Sequence, residues 1–65
     1  MNFPTKVIAS AAIRNAKSRV GVSVRYADHD ETITIRDTRA HVTLDEFPVT
    51  NASQEEIEGA INDVL

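Results

Sequence analysis

The chain has no cysteine and no tryptophan, two glycines, two prolines, one tyrosine and two phenylalanines among its 65 residues. Without cysteine there can be no disulfide, no thiolate metal site and no thiol nucleophile. The glycines, Gly21 and Gly59, stand alone and cannot build a phosphate-cradling loop, and no serine lies in a Gly-x-Ser-x-Gly elbow. No apolar run approaches the roughly 20 residues of a membrane-spanning helix. The opening MNFPTKVIASAAIRNAK lacks the continuous apolar core of a secretory signal. These absences suit a cytoplasmic protein without membrane attachment, and the small size suggests a prokaryotic or phage origin. One domain, residues 1–65, is expected. A domain of this size buries only about 60% of the surface that its unfolded chain exposes, which makes self-association into a homodimer attractive.

Within this sparse composition the informative stretch runs from Val20 to Leu44, VGVSVRYADHDETITIRDTRAHVTL. Apolar residues recur at every second position in three runs: Val20, Val22, Val24 and Tyr26; Ile33 and Ile35; Ala40, Val42 and Leu44. Period two marks a half-buried strand, and the polar clusters Asp28–Glu31 and Arg36–Arg39 divide the runs as turns do. The pattern predicts a three-stranded antiparallel meander with a tight turn at Asp37-Thr38. Phe47 and Val49 are out of step with the third run by one position. A bulge near Asp45-Glu46 would return them to the core side, and Pro48 places this segment at an edge or in a loop.

A helix is predicted on either side of the meander. Over residues 4–18, Pro4 suits the first turn, and Ile8, Ala9, Ala12, Ile13 and Ala16 form one stripe opposite Lys6, Arg14 and Lys17. The second helix opens on Ser53-Gln54-Glu55-Glu56, a capping box in which serine and glutamate satisfy each other's backbone N–H groups. Ile57, Ala60, Ile61, Val64 and Leu65 then follow helical spacing. The expected fold is therefore α+β: an α-β-β-β-α two-layer sandwich with a three-stranded antiparallel sheet and both helices on one face. The expected core draws on Phe3, Ile8, Ala12 and Ile13, on Val20, Val22, Val24, Tyr26, Ile33, Ile35, Val42 and Leu44 in the sheet, and on Phe47, Val49, Ile57, Ile61 and Val64.

Charge is divided along the chain. Residues 1–27 carry five bases and no acid, whereas residues 28–65 carry two arginines against ten acids, which together give the net charge of −3. The simplest reading is that the basic first helix and the acidic second helix neutralise each other as neighbours.

The face of the sheet away from the helices should display Ser23, Arg25, Thr32, Thr34, Arg36, Arg39, His41 and Thr43, with no strand acid and no large apolar group. Its candidate binding residues are Arg25, Thr34, Arg36, Arg39, His41 and Thr43. They point to a non-enzymatic protein-binding module, of regulator or inhibitor type, acting through the sheet face or an edge on a protein partner or on a second copy. The alternative is nucleic-acid binding through Lys6, Arg14, Lys17, Arg19 and Arg25. The element order resembles that of double-stranded-RNA-binding domains. The resemblance is one of order alone, because Ser53-Gln54-Glu55-Glu56 stands where those domains need bases to meet phosphate. Asp28-His29-Asp30-Glu31 is the densest set of metal-type ligands, but adjacent turn residues rarely converge on one point and no calcium-loop spacing is present. His41 could act as a general base only within an enclosed site, which so short a chain can hardly build. The sequence assigns no catalytic residue, no metal and no cofactor.

Overall fold

A computed structural model of the chain describes residues 3–65. The order is α1 (Thr5–Asn15), β1 (Val22–Ala27), β2 (Thr32–Asp37), β3 (Val42–Pro48) and α2 (Gln54–Val64). The strands form one antiparallel sheet in the order β1-β2-β3, so β2 is central and the other two are edges. Both helices pack on the same side. Ala9 and Ala12 of α1, Ile57 and Ile61 of α2, Ile33 and Ile35 of β2, and Val49 beyond β3 form one buried cluster. The expected α+β two-layer sandwich is the observed fold.

The alanines explain the closeness of the helix layer. With Ala9 and Ala12 fully buried, α1 can approach both α2 and β1. The apolar burial comes instead from the isoleucines, each stabilising the fold by roughly 1.5–3 kcal/mol when wholly removed from water. Beyond α1, the Lys17 backbone N–H donates to Asn62 Oδ1 at 2.8 Å, which ties the end of α1 to α2. The capping box of α2 is formed as expected: Ser53 Oγ accepts from the Glu56 N–H at 3.2 Å, and Glu56 Oε1 accepts from the Ser53 N–H at 3.3 Å.

The first turn, Asp28–Glu31, is the one the sequence implies, whereas the second is longer than expected. Residues 28–31 and 38–41 each form a four-residue connection. Glu31 and His41 close these connections in left-handed backbone, with φ of 51° and 57°. Gly21, Glu31, His41 and Asn51, spaced ten residues apart, all have positive φ. Each reverses the chain just ahead of the next strand or helix. The expected tight turn at Asp37-Thr38 is replaced because Asp37 Oδ1 accepts from the Arg39 and Ala40 N–H groups, both at 2.9 Å. This side-chain turn holds residues 38–41 outside the sheet, so β3 begins at Val42.

The bulge lies at Leu44, slightly earlier than expected. Ile35 pairs with Asp45 and Arg36 with Thr43, which leaves Leu44 as the extra residue in β3. Phe47 thereby falls opposite Ile33 on the helix side, as the sequence required. The same shift puts Glu46 opposite Thr34 on the outer side, which corrects the expectation of an outer face free of strand acids.

Four expected core residues are exposed: Val20 at 84%, Phe3 at 63%, Val42 at 48% and Leu44 at 43%. Val20 precedes β1 rather than belonging to it, and Phe3 precedes α1. The helices do not cover the start of β3, where every residue from Val42 to Glu46 is exposed. A period-two pattern shows which side of a strand is apolar but not whether a helix lies over it.

Candidate functional site: the outer sheet face and the basic end

On the outer face, residues of β1 and β2 and of the loop between β2 and β3 surround an open depression of about 680 Å³. Ser23, Arg25 and Ala27 come from β1, and Thr34 and Arg36 come from β2. Thr38 and His41 close one end, and Tyr26 contributes to the rim. The register explains the grouping. Arg25 lies directly opposite Thr34, and Ser23 opposite Arg36, so their side chains leave the same side of the sheet. Arg36 is steadied by its Nη2, which donates to the His41 carbonyl oxygen at 3.4 Å. Thr34 Oγ1 donates to Glu46 Oε2 at 3.1 Å, which places one carboxylate beside the depression, although Glu46 does not line it.

Four of the six expected binding residues, Arg25, Thr34, Arg36 and His41, are thus gathered at one place. Thr43 lies opposite Arg36 on the same face but outside the depression. Arg39 is carried elsewhere, because the turn held by Asp37 takes it out of the strand alternation that would have set it on the outer face. It lines a groove of about 150 Å³ with Arg19, Val20, Gly21, Val22, Asp37 and Leu44. Gly21 has a specific role here. Its φ is +82°, and a side chain would meet Arg39 Nε at 3.1 Å. Its carbonyl also accepts from the Thr38 N–H at 2.8 Å, which joins the approach to β1 to the β2–β3 loop.

The charged groups are sorted by position. Arg19, Arg36, Arg39 and His41 cluster where β1 begins and β2 ends. Asp28, Asp30 and Glu31 occupy the opposite end of the sheet. Glu31 is bound there to the segment leading into α2: its carbonyl accepts from the Val49 N–H at 2.9 Å, and its Oε1 accepts from Thr50 Oγ1 at 3.1 Å. Among the described residues the one contact of ion-pair type is His29 Nε2 to Asp30 Oδ2 at 3.6 Å, charged on both sides only when the imidazole is protonated. Adjacent as they are, α1 and α2 do not neutralise each other through ion pairs, and no lysine or arginine is paired with a carboxylate among those residues.

Among the described residues two groups titrate away from their ordinary values. The Ala40 and Arg39 N–H groups, in that order, hold the Asp37 carboxyl below the usual range against partial desolvation, with help from the charges of Arg19 and Arg39. Partial desolvation raises the Tyr26 hydroxyl, assisted by its hydrogen bond to Asp28 Oδ1 at 3.2 Å and by the charges of the acidic loop. Among the described residues, no three His, Asp or Glu side chains gather as a metal site, and no helix is long and apolar enough to cross a membrane.

The groove beside Arg39 was not foreseen as a site. Its signal lay in Val20, Val42 and Leu44, which the alternation assigns to a core that this small fold leaves incomplete over β3. Comparison with known proteins returns no match: no family model fits the chain, and no curated protein and no solved structure matches it.

Proposed function

We propose that this protein is a non-enzymatic, cytoplasmic binding module that receives an acidic segment of a partner protein on the outer face of its sheet. The observation that carries this reading is the depression around Arg25, Arg36 and His41. Its lining holds two arginines and no carboxylate, and neither arginine is ion-paired among the described residues. A guanidinium is a planar fork of donors suited to carboxylates, and the hydroxyl-bearing residues Ser23, Thr34 and Thr38 line the same depression. An open, shallow site suits an extended segment better than a small molecule, which normally needs most of its surface enclosed.

The helix cations and Arg25 lie in different layers. Lys6 and Arg14 are exposed on α1 and Lys17 just beyond its end, and α1 packs against the inner side of the sheet, whereas Arg25 belongs to the outer side. A nucleic acid would have to pass around an edge to meet both sets, which favours the protein-segment reading over that alternative. A homodimer remains the other form of the same reading, and the edges differ in what they offer it. β3 carries a bulge and Pro48, which obstruct strand addition, whereas β1 pairs regularly along its length and contains neither.

The test uses a fluorescent ten-residue peptide of alternating glutamate and serine at low ionic strength. It should bind the native protein and release as salt is raised. The double variant Arg25→Glu, Arg36→Glu should bind at least tenfold more weakly. Absence of binding by the native protein, or an unchanged affinity in the double variant, removes this reading.

A further inference from the structure

Three of the four exposed residues that the sequence assigns to the core, all but Phe3, are not scattered. Val20 and Leu44 line one groove together with the half-buried Val22, and Arg19 and Arg39 stand beside them. Val42 adjoins this groove, since both Val22 and Val42 are register partners of Asp37. Across the sheet at this end the helix-side row therefore reads Val22, Asp37, Val42. The carboxylate in the middle of that row is engaged, because Asp37 Oδ1 already accepts from two backbone N–H groups of the turn. The groove thus sets Val20, Val22 and Leu44 beside two guanidiniums and the Asp37 carboxylate, on which the charges of Arg19 and Arg39 already act. Neither Arg19 nor Arg39 is ion-paired with a carboxylate among the described residues.

The groove and the outer depression share one structural support. Thr38 and His41 line the depression, and Arg39, between them in sequence, lines the groove. A segment bound at Arg36 and His41 can thus continue around the 38–41 loop to Arg39. We propose that this groove is a second contact for the same partner and receives one aliphatic side chain of the acidic segment, with flanking carboxylates meeting Arg19 and Arg39. The inference rests on the acidic-partner reading above and adds to it an apolar requirement. Two features favour a protein segment over an anionic membrane. The surface is a concave groove of about 150 Å³, the scale of a side chain and not of a bilayer. The opposite end of the sheet and a net charge of −3 would also repel an anionic surface.

The experiment compares two fluorescent ten-residue peptides, one alternating glutamate with leucine and the other glutamate with serine. The first should bind at least tenfold more tightly. The double variant Val20→Ser, Leu44→Ser should lose that preference and bind both peptides at the level of the serine peptide. Both residues are exposed, and circular dichroism confirms that the variant is folded. Equal binding of the two peptides by the native protein, or a leucine preference that survives in the double variant, overturns the inference. If equal binding is also lost in Arg25→Glu, Arg36→Glu, the outer-face reading stands while this one falls. Failure of both peptides to bind overturns both. Two further results would assign the groove to another occupant and also overturn the inference: binding to phosphatidylserine vesicles that Val20→Ser, Leu44→Ser abolishes, or a doubled mass in light scattering that the same variant halves.

Discussion

The two loop-bearing ends of the sheet share a backbone plan and differ in chemistry. Residues 28–31 and 38–41 are both four-residue connections, each closed by a non-glycine residue in left-handed backbone. At the acidic end, the closing residue Glu31 is bound through both its carbonyl and its carboxylate to the segment that leads into α2. At the basic end, Asp37 and Gly21 support the loop from beneath, while the arginines and the aliphatic residues around it stay exposed. One end joins the layers together, whereas the other holds a loop rigidly without covering it. Connections of the same length, each closed in left-handed backbone, can thus serve cohesion or display, depending on whether the side chains face the protein or the solvent.

Substitutions can separate the two roles. The largest effect on stability should come from Gly21→Ala. The left-handed φ costs roughly 1–2 kcal/mol for a residue with a Cβ, and the new methyl would press on Arg39. Thermal or urea unfolding measures this, and an unchanged midpoint would show that the basic end is not rigidly supported. Next comes Ser53→Ala at the acidic end, which removes one half of the capping box and should cost about 1 kcal/mol. Loss of helix content near residues 54–57 by amide exchange would locate the damage. The smallest effect on folding should come from Val20→Ser, within about 0.5 kcal/mol, since an exposed site away from such features seldom matters more. The same substitution should weaken binding, and that contrast marks a residue placed for display.

Acid titration probes the same support without changing the backbone. The folded Asp37 carboxyl lies below its ordinary value of 3.8. Its contribution is therefore complete above that value and is lost as pH falls through the lower, folded one. Asp37→Asn keeps an oxygen able to accept from Arg39 and Ala40 but removes the charge. Its stability should consequently fall less steeply below pH 4 than that of the native protein, as measured by urea unfolding across pH. An identical acid limb in both proteins would remove Asp37 from the account.

The sequence was most informative where a local rule suffices. The capping box at Ser53 and Glu56 needs only residues three apart, and the alternation in β1 and β2 needs only neighbours. The out-of-step position of Phe47 even announced the bulge, although not its consequence of moving Glu46 to the outer face. Other features depend on more distant parts of the chain. No glycine marks the left-handed position at His41, so the length of the second turn was hidden, whereas the polar run Asp28–Glu31 showed the first. How far two short helices extend over a third strand is a matter of packing, and for that reason Val42 and Leu44 read as core. The candidate site was legible in Arg25, Thr34 and Arg36, which the register alone brings near one another, and His41 joins them from the loop. It was not legible in Arg39, whose position is set by a side-chain turn.

The most direct test of the central claim is an amide chemical-shift map of the native protein titrated with the glutamate–leucine peptide at low salt. The account predicts that the shifts concentrate at Arg25, Thr34 and Arg36, through the 38–41 loop, and at Val20 and Leu44, with residues 28–31 and the start of α2 unmoved. Shifts centred on the acidic end, or spread evenly over both ends, would contradict it.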